Sequence, residues 1–180
     1  SIKINFGDIH YKFDGFRSKK EKSGGGIFFE TGSHWIDTVL FASSAKDIKN
    51  FKSYKKKIAE LDVECKGEFD IINQDNHEIN CNFYITNLKN TSNSIDFNFK
   101  HCSIRLSLFD DDSNLKVTSN DNYEFIIKDN EFLNFPNKSL DVAWSFWNEF
   151  IYSYKNKKKS EISVNNFILT TKIIELFYAE

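Results

Sequence analysis

Glu30, His34 and Asp37 are the residues whose types and spacing most directly offer chemistry. They lie in Gly-Gly-Gly-Ile-Phe-Phe-Glu-Thr-Gly-Ser-His-Trp-Ile-Asp, residues 24–37. A carboxylate and an imidazole four residues apart are neighbours on a helix surface. Such a pair can transfer a proton, with the carboxylate holding the ring in one tautomer. It can equally be the solvated polar side of a surface helix, and spacing alone leaves both readings open. Arg17, just ahead of the glycines, has the fork geometry that suits a substrate carboxylate or phosphate; a plain surface arginine is the more ordinary reading. A metal held by Glu30 and His34 would need a further ligand. Asp37 could serve geometrically, but a hydrogen bond fixing the helix or its neighbours is its more ordinary role, and no metal site is expected. His10, His77 and His101 have no ligand-spaced partners. Cys65, Cys81 and Cys102 are odd in number and form no Cys-x-x-Cys, so neither a disulfide framework nor a zinc site is indicated.

The elements that must position these side chains follow from periodicity. From Ile27 to Phe41 a helical rotation places Trp35, Phe28, Val39, Gly32, Ile36, Phe29 and Leu40 on one arc of roughly 140°. Asp37, Glu30 and His34 fall opposite, within roughly 60°. The three glycines before the helix permit a sharp turn and close approach to a neighbour. Residues 2–13 read as a strand with a kink or bulge at Gly7. Residues 14–26 read as a loop; Lys19, Lys20 and Lys22 could meet an anion at a helix start, but no Gly-Lys-Ser/Thr ending follows and a solvated loop is favoured.

After the helix, Lys46–Lys55 is expected to be a strand. Period-2 runs then follow at Leu61–Ile71, Ile79–Thr86, Ile95–Lys100 and Ser103–Leu108. Turns rich in Asn, Asp and Ser separate them at Asn73–Asn76, Asn90–Ser94 and Asp110–Asn114. Short connections favour antiparallel neighbours. Weaker strand signals lie at Leu115–Thr118 and Tyr123–Ile127. The end of the chain is helical: Ser139 suits an N-cap, and Leu140, Ala143, Trp144, Trp147, Phe150, Ile151 and Tyr154 form a helical stripe. A lysine run over Lys155–Lys159 breaks it. Ser163 can cap a second helix bearing Val164, Phe167, Ile168, Thr171 and Ile174 on one face. The predicted class is α+β: an open, mostly antiparallel sheet of about six to eight strands with helices packed on one face.

The 180 residues suit a single domain, 1–180. A net charge of −2 gives no basic field for nucleic acid. No apolar run approaches the roughly 20 residues of a membrane span, and no signal-peptide pattern is present. A reducing, cytoplasmic setting is expected, in which the Asn90-Thr91-Ser92 sequon has no consequence. The chain opens at Ser1 without a Met, as an excised segment or processed product would.

The stretch Ser-Gly-Gly-Gly-Ile-Phe-Phe-Glu-Thr-Gly-Ser-His-Trp-Ile-Asp, residues 23–37, resembles the signature of the Gfo/Idh/MocA family of NAD(P)-dependent dehydrogenases. That signature is a glycine run, apolar residues, an acidic or amide position, then x-Gly-x-His-x-x-Asp. The resemblance extends to the order of downstream elements. It implies that His34 and Glu30 are catalytic residues reaching the substrate hydroxyl; Glu30 stands where the family most often has Asp. It further implies that the chain is the C-terminal substrate-binding and oligomerisation domain of an oxidoreductase. The parent enzyme would act on a secondary alcohol of a sugar, polyol or nucleotide-sugar, with NAD or NADP as cofactor. No strand–Gly-x-Gly-x-x-Gly–helix unit is present, because Gly24-Gly25-Gly26 lacks the spacing. The family's N-terminal Rossmann domain and its Glu-Lys-Pro motif are therefore missing partners, and this segment alone is expected to bind no cofactor and to be inactive.

The alternative is a non-catalytic binding or assembly module that keeps the fold without the chemistry. A homo-oligomer is also expected. The helices should cover the sheet face bearing Val63, Phe69, Phe83, Ile85, Phe97 and Leu106. The other face, with Glu64, Lys66, Glu68, Asn82, Tyr84, Asn98 and Arg105 and with Phe109 extending the row, should meet a second copy.

Overall fold

The computed structural model describes residues 1–108, 115–121, 123–127, 147–148, 150–158 and 167–179. The alternating runs become one eight-stranded sheet, ordered β2-β3-β4-β1-β5-β6-β7-β8. Its strands are β1 (Ile2–Gly7), β2 (Ala45–Ile58), β3 (Leu61–Asn73), β4 (Glu78–Thr86), β5 (Ser94–Asn98), β6 (Cys102–Ser107), β7 (Leu115–Ser119) and β8 (Glu124–Ile127). Two meanders, β2 to β4 and β5 to β8, pair antiparallel throughout. Between them lies β1, parallel to β4 and antiparallel to β5. The expected architecture, α+β with an open and mostly antiparallel sheet, is the one observed. The central parallel pair was not anticipated, and β1 ends at Gly7 instead of kinking there. A Cβ at Gly7 would meet the Lys89 carbonyl and the Thr91 side chain. The Gly7 N–H is instead donated to Asn93 Oδ1 at 2.8 Å, which takes it out of any further ladder.

The connection from β1 to β2 carries a 3₁₀ turn (Gly15–Ser18), a single turn α1 (Lys20–Ser23), a π turn (Phe28–Gly32) and α2 (Ser33–Ala42). Residues 14–26, expected as loop, thus contain two short helical turns. Towards the end of the chain come the helical segment α3 (150–156) and α4 (Ile168–Ala179). Helices α2 and α4 pack on each other and on the sheet. Ile27, Phe28, Ile36, Val39, Leu40, Ile173 and Phe177 interlock with Ile4, Phe6, Phe69, Ile71, Phe83, Ile85 and Ile95 from the strands. Phe28 is the centre of this layer, stacked on Phe177 at 3.9 Å between ring centroids and tilted against Phe83 at 5.2 Å. Fully burying one such side chain contributes about 1.5–3 kcal/mol.

Three apolar expectations are corrected. In α4 the buried residues are Thr170, Ile173 and Phe177, whereas Phe167 and Ile168 are exposed. The Phe28–Phe177 stack and a bond from Thr170 to Asp37 set the rotation of this helix. Trp147, Phe150, Ile151 and Tyr154 are exposed instead of forming a buried stripe, and Ser153 is the buried residue there. Phe99 lies beyond the end of β5 and is exposed. Phe109, the 110–114 turn, Ser139, Leu140, Ala143, Trp144, Lys159, Ser163 and Val164 lie outside the described residues. No described helix is long and apolar enough to cross a membrane.

Candidate active site

The helix bearing Glu30 and His34 begins on glycines that leave room for other parts of the chain. Gly24 ends α1 in the left-handed region, at φ 82°. A Cβ on Gly26 would strike the backbone of Asp62, and one on Gly25 the hydroxyl of Tyr178. The chain can therefore lie directly on the start of β3, where Asp62 is buried. Asp62 accepts hydrogen bonds from Gly26 N–H and Phe28 N–H, each at 2.8 Å, from Tyr178 O–H at 2.6 Å and from Cys65 S–H at 3.3 Å. A fixed negative charge thus meets the N-terminal amides of the helix, where the dipole favours it. Burial first, then the Asp62 charge, pushes both the Tyr178 phenol and the Cys65 thiol upward, so both remain protonated donors.

Asp62 reaches this position through a bulge. Lys56 pairs with Glu64 but Lys57 pairs with Asp62, so β3 holds one extra residue, Val63, at that step. The bulge turns Asp62 from the outward face, where alternation places it, toward Cys65 and the helix. From Phe28 to Gly32 the helix widens into a π turn, a feature often found at functional sites. The extra residue in that turn changes the angular phase, and Phe29, predicted to be buried, is 41 % exposed.

Glu30, His34 and Arg17 line one cleft of about 410 Å³, with Phe16, Phe29 and Ile174 as its apolar parts and Ser23 and Ser33 as polar ones. His34 is exposed within it and makes no side-chain hydrogen bond among the described residues. Glu30 does not turn to His34. Its Oε1 lies 2.5 Å from Arg17 Nε, the arginine being held on the 3₁₀ turn. Tyr11 is the second neighbour. Its phenol is pushed up to about 12, first by burial and then by the neighbouring Glu30 carboxylate, so it stays protonated at neutral pH. Asp37 lies away from this pair and accepts a 2.6 Å hydrogen bond from Thr170, fixing α2 to α4. Among the described residues no three His, Cys, Asp or Glu side chains are grouped to hold a metal.

Sequence reasoning thus named the three residues that meet in the cleft but missed Tyr11, Asp62 and Tyr178. One signal pointed to Asp62: Gly24-Gly25-Gly26 offers no side chain to cap the helix that follows, so the cap must come from elsewhere. The same bonds decide whether the glycine turn could cradle a dinucleotide. A pyrophosphate needs free amides at a helix N-terminus; here those of Gly26 and Phe28 already bind Asp62. The residues of this turn do not fit that cofactor.

No family model and no curated protein sequence matches the chain. Its fold does match solved structures. An aldose-aldose oxidoreductase from Caulobacter crescentus, complexed with glycerol, superposes with a TM-score of 0.74 at 8 % identity, over 99 % of this chain and 52 % of that one. Levoglucosan dehydrogenase in complex with NADH and levoglucosan gives 0.72 at 11 % identity, over 96 % and 54 %. An oxidoreductase from Agrobacterium radiobacter, in complex with NAD+, L-tartaric acid and magnesium, gives 0.68 at 13 % identity, over 99 % and 53 %. The fold is therefore one that nicotinamide-dependent oxidoreductases carry, and the chain spans about half the length of these proteins.

Proposed function

We propose that residues 1–180 are the C-terminal substrate-binding and oligomerisation domain of a Gfo/Idh/MocA-type oxidoreductase. The parent enzyme interconverts a secondary alcohol of a sugar, polyol or nucleotide-sugar with the corresponding ketone. The observation that carries this reading is the convergence of Arg17, Glu30 and His34 on one cleft, in a fold shared with such oxidoreductases. His34 is the group that takes or returns the hydroxyl proton. Its ring is accessible within the cleft, and an imidazole can both accept and donate a proton. Glu30, one turn earlier on the same helix, lines the cleft beside it and orients the substrate. NAD or NADP, bound by an N-terminal Rossmann domain of the same cytoplasmic polypeptide, supplies the hydride chemistry. The test is turnover of polyols and sugars by the protein extended upstream to include that domain. Upstream sequence without a dinucleotide fingerprint and without Glu-Lys-Pro would favour the non-catalytic module instead.

Two expectations follow for the 180-residue chain itself. Because Asp62 occupies the amides of the glycine turn, calorimetry with NADH or NADPH should show no binding in the micromolar range; a micromolar isotherm would refute the division of labour proposed here. The chain should also self-associate through the open sheet face. There Lys66, Asn82, Asn98 and Arg105 are exposed, and the Arg105–Asp96 and Lys52–Glu68 ion pairs lie alongside. A specific interface would bury roughly 1,000 Å² or more in total. Light scattering at tens of micromolar should report a dimer or larger; a monomer there would refute this arrangement.

A further inference from the structure

We infer that Arg17 is an exchangeable anion clamp that Glu30 fills when no substrate is bound, so that the preferred substrate is an alcohol carrying a carboxylate or a phosphate. The inference deepens the proposed function and rests on it only for the alcohol.

The Arg17–Glu30 contact is one-sided. It runs through Nε, and among the described residues the terminal nitrogens of the guanidinium have no hydrogen-bond partner. A guanidinium carries five donors in a rigid fork suited to two oxygens at once. The present pair engages Nε alone, on a side chain that lines the cleft. It is also exposed: the Arg17 side chain is 45 % accessible and that of Glu30 24 %. Ion pairs in such a solvent-accessible setting contribute little. An incoming bidentate anion therefore gives up little by displacing Glu30.

The two partners differ in mobility. Glu30 lies on the π turn over the sheet, with the Tyr11 phenol beside its carboxylate and the helix entry fixed by Asp62. Arg17 sits on a four-residue 3₁₀ turn that buries none of its residues, with its guanidinium 5.7 Å from the ring of its neighbour Phe16. Arg17 is thus the partner free to move. Once it turns to a substrate anion, Glu30 is released within the same cleft as His34. Binding of an acidic substrate would thereby free the carboxylate that a neutral sugar leaves paired.

The test is calorimetric titration of the chain with D-glucuronate, D-glucose 6-phosphate and neutral D-glucose, needing neither cofactor nor turnover. The two acidic ligands identify whether the clamp takes a carboxylate or a phosphate, and glucose should bind more weakly than the better of them. Arg17→Ala should weaken that ligand at least about tenfold, the loss expected for charge-assisted hydrogen bonds. Arg17→Lys, which keeps the charge but not the fork, should fall between. Glu30→Gln should strengthen binding about two- to fivefold, because it removes the competing carboxylate. Unchanged affinity in Arg17→Ala, or unchanged or weaker binding in Glu30→Gln, would overturn the inference, with unaltered melting curves showing that each variant is folded. Anion binding without polyol oxidation by the upstream-extended protein would sink the enzymatic reading and leave the clamp. Oxidation of neutral polyols insensitive to Arg17→Ala would do the reverse.

Discussion

His34→Ala is expected to lower turnover of the complete enzyme by about 10²–10⁴-fold, the usual contribution of a positioned acid–base group. It should hardly change the melting temperature. The reason for the split lies in the setting of the ring. His34 is exposed in the cleft, it donates and accepts no side-chain hydrogen bond among the described residues, and its removal opens no cavity in the core. Surface replacements away from caps and networks usually stay within about 0.5 kcal/mol. The measurement is kcat and KM beside a thermal melt for wild type and variant. Turnover within a factor of two of wild type would end the catalytic role, and so would a loss that follows the melting temperature.

Asp62→Ala should produce the opposite pattern, a large loss of stability. The substitution leaves the Gly26 and Phe28 amides, the Tyr178 hydroxyl and the Cys65 thiol without their common acceptor. A buried unsatisfied group costs about 1–3 kcal/mol. Removing the carboxylate also removes the cost of burying its charge, so the separate penalties do not simply add. A net loss on the order of 3 kcal/mol is the expectation from these opposing effects. Asp62→Asn keeps the shape but places an amide donor among donors, and should lose less than Ala yet clearly more than a surface change. Urea denaturation of the two variants decides the matter. A loss below about 1 kcal/mol for Asp62→Ala would show that the glycine turn is held by packing alone.

Much of the sheet was legible because alternation reports directly which side of a strand is buried. Cys81, Phe83 and Ile85 are buried while Asn80 and Asn82 are exposed, as their spacing requires. The position of β1 was not legible: Ile2, Ile4 and Phe6 reveal a buried face but carry no information about which strands flank it. In the site, Glu30 and His34 were legible from the helical period, since the turn between them keeps both on the open side. Phe29 was misplaced because a π turn does not follow that period, and Asp62 because one bulge residue reverses the face of what precedes it. Both errors fall where the regular backbone is interrupted. The interruptions are what bring Asp62 under the helix and open the cleft.

The central place of β1 also fixes an order of events during folding. Each meander consists of hairpins whose partners are close in sequence, so each can form early from local contacts. Strand β1 has no such neighbour: Ile4 must meet Phe83 on one side and Ile95 on the other. Pairing between residues so far apart in sequence is slow relative to local hairpin formation. The two halves of the sheet are therefore expected to exist first as separate units with open edges, and the arrival of β1 is the step that joins them. Pulsed hydrogen exchange during refolding should find the β1 amides protected last. Until that step the inward edges of β4 and β5 stay unpaired, which makes the interval before it the time when the chain is most prone to aggregate.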